Sequence, residues 1–128
     1  MPVKILYIED NPQNMRLVGK MLRVGGYDML EAVDGLSGVA VAAREHPDLI
    51  LMDINLPDID GLEATARLKA SPQLAHIPVI ALTANAMHGD RERFISSGCD
   101  GYLAKPVTKN ELLNAVAHFL SLSEASRV

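Results

Sequence analysis

Two hydrophobic rhythms alternate along this chain. Short, nearly continuous apolar runs recur at intervals: "VKILYI" (3–8), "DLILM" (48–52) and "IPVIAL" (77–82). Runs of this kind suit strands of a parallel sheet covered on both faces. "YDMLEA" (27–32) and "DGYLA" (100–104) are more polar and suit edge strands. Between the runs the period lengthens to that of a helix. Met15, Val18 and Leu22 form one stripe. Residues 39–43 are apolar almost all round, which predicts deep burial. Leu62, Ala66 and Lys69 give a third helix a thin apolar face. Residues 85–97 are mostly polar, with Met87, Phe94 and Ile95 as anchors. Leu112, Leu113, Val116 and Leu120 make the last stripe.

Local punctuation agrees with these elements. Pro12 suits a first helical turn, and Gly25-Gly26 and Gly98 suit helix ends. Thr108 with Glu111 reads as a capping box. Asp58 and Asp60 read as caps of the third helix. A strand–helix unit repeated five times predicts a parallel sheet with helices on both faces. With right-handed crossovers and the polar runs at the edges, the strand order is 2-1-3-4-5. That is a flavodoxin-like (βα)5 three-layer sandwich, an α/β fold with its switch point between strands one and three. The single domain is expected over 1–122, with 123–128 a frayed tail.

Ligands of such sheets bind beyond the carboxyl ends of the strands. Those ends read Glu9-Asp10, Asp53, Thr83 and Lys105-Pro106 for strands one, three, four and five. Adjacent strands lie about 4.8 Å apart, so Asp10 and Asp53 should sit close together with Glu9 beside them. Clustered carboxylates need a proton or a cation. An all-oxygen cluster favours Mg²⁺. Asp53 can then act as a nucleophile towards phosphorus, Lys105 supplies positive charge, and Thr83 offers a hydroxyl donor.

Composition narrows the alternatives. Aromatic residues are 4% of the 128 and Trp is absent, so the core is aliphatic. The net charge of −4 shows no basic footprint for nucleic acid. The single cysteine, Cys99, fits a reducing compartment, and a cytoplasmic location is expected. It reads as a small, partly buried filler rather than a redox sensor. No apolar run is long enough to span a membrane, and no signal-peptide pattern opens the chain. His46, His76, His88 and His118 have no ligand spacing and read as surface residues.

The segments "ILYIEDN", "LILMDINLPDIDG", "VIALTANA" and "GYLAKPV" together resemble the receiver domain of two-component response regulators, over nearly the whole chain. The resemblance implies that Asp53 is the phosphoacceptor. It implies that Asp10 binds Mg²⁺ directly, Glu9 through water, and Asn55 through its backbone carbonyl. Lys105 would pair with the phosphoryl group, and Thr83 would move towards it. Tyr102 would swing inward behind Thr83. Asn55 and Asn85 would tune the hydrolytic water, and Lys105-Pro106 would be cis. The donor would be a histidine kinase or histidine phosphotransfer protein. The face of helix four, strand five and helix five would report to a partner, and a phosphorylation-dependent dimer is compatible with such a face.

Three other readings remain in view. An aspartyl-phosphate phosphatase would want D-x-D after the first strand, where this chain has Glu9-Asp10-Asn11. A flavin carrier would want a phosphate-cradling loop and stacking aromatics. A phosphorylation-independent binding module would use the fold without its chemistry. In the leading reading the chain is not an enzyme beyond catalysing its own phosphoryl acceptance and loss.

Overall fold

The computed structural model describes residues 2–84 and 90–126. Strands and helices alternate as β1 (Lys4–Ile8), α1 (Pro12–Val24), β2 (Asp28–Ala32), α2 (Gly35–Glu45), β3 (Leu49–Asp53), α3 (Gly61–Ala70), β4 (Val79–Thr83), α4 (Asp90–Ser96), β5 (Gly101–Ala104) and α5 (Lys109–Ser126). The strands form one parallel sheet in the order β2-β1-β3-β4-β5, the order expected from the apolar runs. Residues 5–8, 49–52 and 79–82 of the three central strands have no exposed surface. Burying each large aliphatic side chain contributes roughly 1.5–3 kcal/mol, so these strands supply most of the folding drive.

Alternation along each strand sends residues to two separate cores. Ile5, Tyr7, Leu49, Leu51, Ile80 and Leu82 pack against α1 and α5, through Met15, Val18, Leu22, Leu112 and Val116. Leu6, Ile8, Ile50, Met52, Val79 and Ala81 pack against α2, α3 and α4. Local chemistry fixes the helix ends. Asn11 Oδ1 accepts from the amides of Gln13 and Asn14 at the start of α1. Thr108 and Glu111 exchange the two bonds of a capping box.

Several helix expectations change. α2 is not buried all round: it docks through Gly35, Gly38 and Ala42, and Ala40 and Ala43 face solvent. A Cβ at Gly38 would lie 2.4 Å from Ile8 Cδ1, so glycine sets how closely α2 meets the sheet. Small alanines are tolerated on the outer face, which hides the true stripe in the sequence. The buried face of α3 is Leu62, Thr65 and Leu68 with Ala64, and Ala66 is exposed. In α4, Phe94 is buried but Ile95 is 58% exposed, and Met87 lies outside the described residues. α5 continues to Ser126, so the stretch expected to fray at 123–128 is helical over most of its length. Its sequence holds no Gly or Pro to stop it.

Asp58 also changes role. It does not cap α3, where Asp60 accepts from Glu63 N at 2.8 Å. Its carboxylate instead reaches across to α2 and accepts from Gly35 N at 2.8 Å and Leu36 N at 2.9 Å. At the opposite end of the sheet, Lys69 Nζ donates to the carbonyls of Ala75 and Ile77 and to Asp100 Oδ2. The same Asp100 oxygen accepts from Val79 N. α3 and the starts of β4 and β5 are thereby clamped together. Among the described residues no helix is long and apolar enough to cross a membrane.

Candidate phosphoryl-acceptor site

Strand alternation builds the site. Glu9 follows Tyr7 by two residues, Asp53 follows Leu51 by two, and Lys105 follows Leu103 by two. Each therefore continues the α1/α5 face of its strand beyond the core. The register sets their heights. Ile8 pairs with Met52, so Glu9 rather than Asp10 is level with Asp53. Glu9 is 1% exposed and Asp53 3%, whereas Asp10 is exposed at the rim. Lys105 leaves the end of β5 and crosses the end of β4, a distance that needs a long side chain. Its Nζ lies 3.0 Å from Asp53 Oδ1 and 3.0 Å from Glu9 Oε1.

Glu9 is held on several sides. Its Oε1 also accepts from Tyr7 Oη at 2.8 Å and Asn14 Nδ2 at 3.1 Å, and Oε2 accepts a longer bond from Asn11 N. Burial opposes ionisation of Glu9, but hydrogen bonds from Asp53, Lys105 and Tyr7 outweigh it and hold its carboxyl down at about 2. Asp53 moves the other way. Burial first, and then the Glu9 carboxylate, raise it to about 6 against the pull of Lys105. The two acids thus share one proton until near-neutral pH. Lys105 stays charged despite burial, because both carboxylates bond to it.

Backbone geometry fixes Asp53 as firmly as side chains do. The amide of Asn55 donates to Asp53 Oδ1 at 3.3 Å, and Gly61 N closes back on Ile54 O at 2.9 Å. A Cβ on Gly61 would lie 2.4 Å from the Asp53 carbonyl oxygen. α3 can begin this close to the strand end only with glycine there.

Glu9, Asp10 and Asp53 each offer an oxygen, and these lie within 4.8 Å of one another. Among the described residues, three carboxylates against the one ammonium bonded to them leave an acidic excess. An all-oxygen donor set with one member at the solvent edge fits a hydrated, hard divalent cation such as Mg²⁺.

The other expected residues fall as follows. Thr83 ends β4 and is 4% exposed, on the sheet face opposite Asp53. Tyr102 points outward at 37% exposure, its ring 5.5 Å from that of Phe94. Asn55 is exposed. The Lys105-Pro106 bond is cis. Asn85 and His88 lie outside the described residues. His46, His76 and His118 are exposed and belong to no cluster with the acids. Cys99 is more buried than expected, and burial pushes its thiol up, which makes it inert. The sequence reading missed Tyr7 and Asn14. The signal was available: Tyr7 is a phenol inside an aliphatic strand, on the same face as the acid two residues on.

The model of the family described as response regulator receiver domain matches residues 5–117. The chain belongs to that family. This receiver domain is 42% identical over 120 residues to the polar-differentiation response regulator DivK of Brucella anthropi, covering 94% of the chain and 98% of the relative. It superposes with a TM-score of 0.88 on the receiver domain of a Pseudomonas aeruginosa sensor histidine kinase. The two are 40% identical over 94% of this chain and 99% of that one, and the Pseudomonas structure has a magnesium ion coordinated in its active site cleft. The chemotaxis response regulator CheY4 of Vibrio cholerae shares the fold at 25% identity, with a TM-score of 0.88 over 93% of this chain and 99% of that one. Receiver domains are signalling modules of two-component systems, and this chain is one of them.

Proposed function

We propose that this receiver domain accepts a phosphoryl group on Asp53 from the phosphohistidine of a histidine kinase or histidine phosphotransfer protein, in a Mg²⁺-dependent reaction. The observation that carries the reading is one ammonium, Lys105, held 3.0 Å from both Asp53 and Glu9 beside a cluster of acids. A carboxylate oxygen of Asp53 bonds to phosphorus as the phosphorus–nitrogen bond of the donor imidazole breaks. The electron pair leaves with the nitrogen. Lys105 turns its charge to the incoming phosphoryl oxygens, and the Thr83 hydroxyl adds a hydrogen bond. Glu9, Asp10, Asp53 and the Asn55 carbonyl would hold Mg²⁺, which supplies positive charge to offset the phosphoryl oxygens when bound. The magnesium in the cleft of the Pseudomonas receiver supports the same cofactor here. Asn55 and Asn85 would tune the water that later removes the phosphate. No separate substrate is turned over.

Readout would run through Thr83. As it moves towards the phosphoryl group it vacates space that Tyr102 fills, leaving the Phe94 ring. The groove of about 490 Å³ between α4, β5 and α5, lined by Ile95, Tyr102 and Phe119, changes shape for a protein partner. That partner could be a second copy of the chain. The free thiol of Cys99 fits a cytoplasmic setting. Incubation with acetyl phosphate and Mg²⁺ followed by intact-mass measurement tests the chemistry. A single phosphoryl adduct is expected on the wild type and none on Asp53→Asn; an equal adduct on both removes Asp53 as acceptor.

A further inference from the structure

The Tyr7 side chain has a chemical role that its place in a core strand conceals. It has no exposed surface and packs with Met15, Val18 and Leu22, as an aliphatic residue would. Yet its hydroxyl donates to Glu9 Oε1 at 2.8 Å, the shortest of the three bonds on that oxygen. Asn14, from the first turn of α1, supplies the second, and Lys105 the third.

These donors differ in what happens to them. Lys105 is shared with Asp53, and on the reading proposed above it is drawn towards the phosphoryl group. Tyr7 and Asn14 are bonded to Glu9 alone in this network and have no reason to leave. A buried carboxylate that lost its sole donor would pay heavily, or would swing to follow the ammonium. With two neutral donors left in place, Glu9 keeps its position when Lys105 moves.

We propose that Tyr7, assisted by Asn14, is a positioning residue. It fixes Oε1 of Glu9 from beneath, so that the other oxygen faces the acid cluster and Lys105 is free to change partner. The inference rests on the reading of Glu9, Asp10 and Asp53 as a magnesium site. Tyr7, Asn14 and Lys105 all line one mostly apolar cavity of about 360 Å³ behind the site, between α1 and the segment following β5. Loss of a hydroxyl beside this cavity creates no clash, so Tyr7→Phe keeps the ring and its packing.

Calorimetric titration of the unphosphorylated full chain with Mg²⁺ tests this, in the wild type, Tyr7→Phe, Asn14→Ala and Val18→Ala. Losing a charged hydrogen bond predicts magnesium affinity about tenfold weaker in Tyr7→Phe, with a smaller loss in Asn14→Ala. Acetyl phosphate labelling of Asp53 at saturating Mg²⁺ should slow by a similar factor in Tyr7→Phe. Val18→Ala packs beside Tyr7 and serves as the control: it should lower the melting temperature and leave magnesium affinity unchanged. Wild-type affinity in Tyr7→Phe, or an equal loss in Val18→Ala, overturns the inference while leaving the site intact. No magnesium affinity in the wild type overturns the site reading and this inference with it.

Discussion

Replacing Lys105 by Met asks how much one ammonium does for two buried acids. It lies 3.0 Å from each of Glu9 and Asp53, which are 1% and 3% exposed. At that distance and an effective dielectric of about 20, its gross attraction for Asp53 is about 5 kcal/mol. Desolvation and its own 23% exposure take back about half. The remaining loss of about 3 kcal/mol lets the acid pair hold its proton about two pH units higher than before. In the wild type burial and Glu9 already raise Asp53 to about 6, above the ordinary value of 3.8. The folded pair therefore keeps a proton that the unfolded chain has lost, and stability falls as pH rises through that window. In Lys105→Met the fall continues well beyond pH 6. Urea unfolding without Mg²⁺, followed by circular dichroism, should show the gap between variant and wild type widening by about 3 kcal/mol from pH 6 to pH 8. Added Mg²⁺ should narrow it at pH 8. A gap of constant size at both pH values would refute the electrostatic account and leave only lost packing of the lysine stem.

Other consequences can be measured directly. Magnesium must displace the proton that Asp53 holds up to about 6, so affinity should fall by up to tenfold per pH unit below that value and level off above it; a flat profile from pH 5 to pH 8 contradicts the shared proton. Gly61→Ala drives a Cβ into the Asp53 carbonyl and should cost about 2 kcal/mol or more in denaturant unfolding, with slower labelling of Asp53. Unaltered stability would mean that α3 shifts freely. Cys99 should resist thiol reagents in native buffer and react only in denaturant, since it is 7% exposed and burial raises its thiol; fast native labelling would show that the β5 edge opens.

The sheet was legible because its central strands are apolar on both faces and its edges are not. Residues 49–52 could hardly be anything but a covered strand, and the acid that ends it stands out. The same logic placed Lys105 and Thr83 at neighbouring strand ends. Depth was not legible. Glu9 lies under the site and Asp10 at its rim because β1 and β3 pair Ile8 with Met52, a register that no single segment encodes. Helix faces built from alanine and glycine misled for a related reason. In α2 the contact residues are the smallest ones, so hydrophobicity points away from the interface. Asp58 was misassigned because a nearby helix start looked sufficient, while its true amide partners lie 22 and 23 residues back in sequence. Tyr7 sits inside an apolar run, and its core position masks the partner of its hydroxyl, Glu9, two residues on.

The clamp of Lys69 on Asp100, Ala75 and Ile77 gives the sheet a fixed fulcrum. β4 and β5 are pinned where they begin and carry Thr83 and Lys105 where they finish. A tug at the far tips must therefore turn into a swing of those tips and not a slide of whole strands. On the proposed phosphoryl transfer to Asp53, cutting the pin at Lys69 would let the lever slip on its pivot, so that the pull is felt at the site but transmitted poorly to the outer groove.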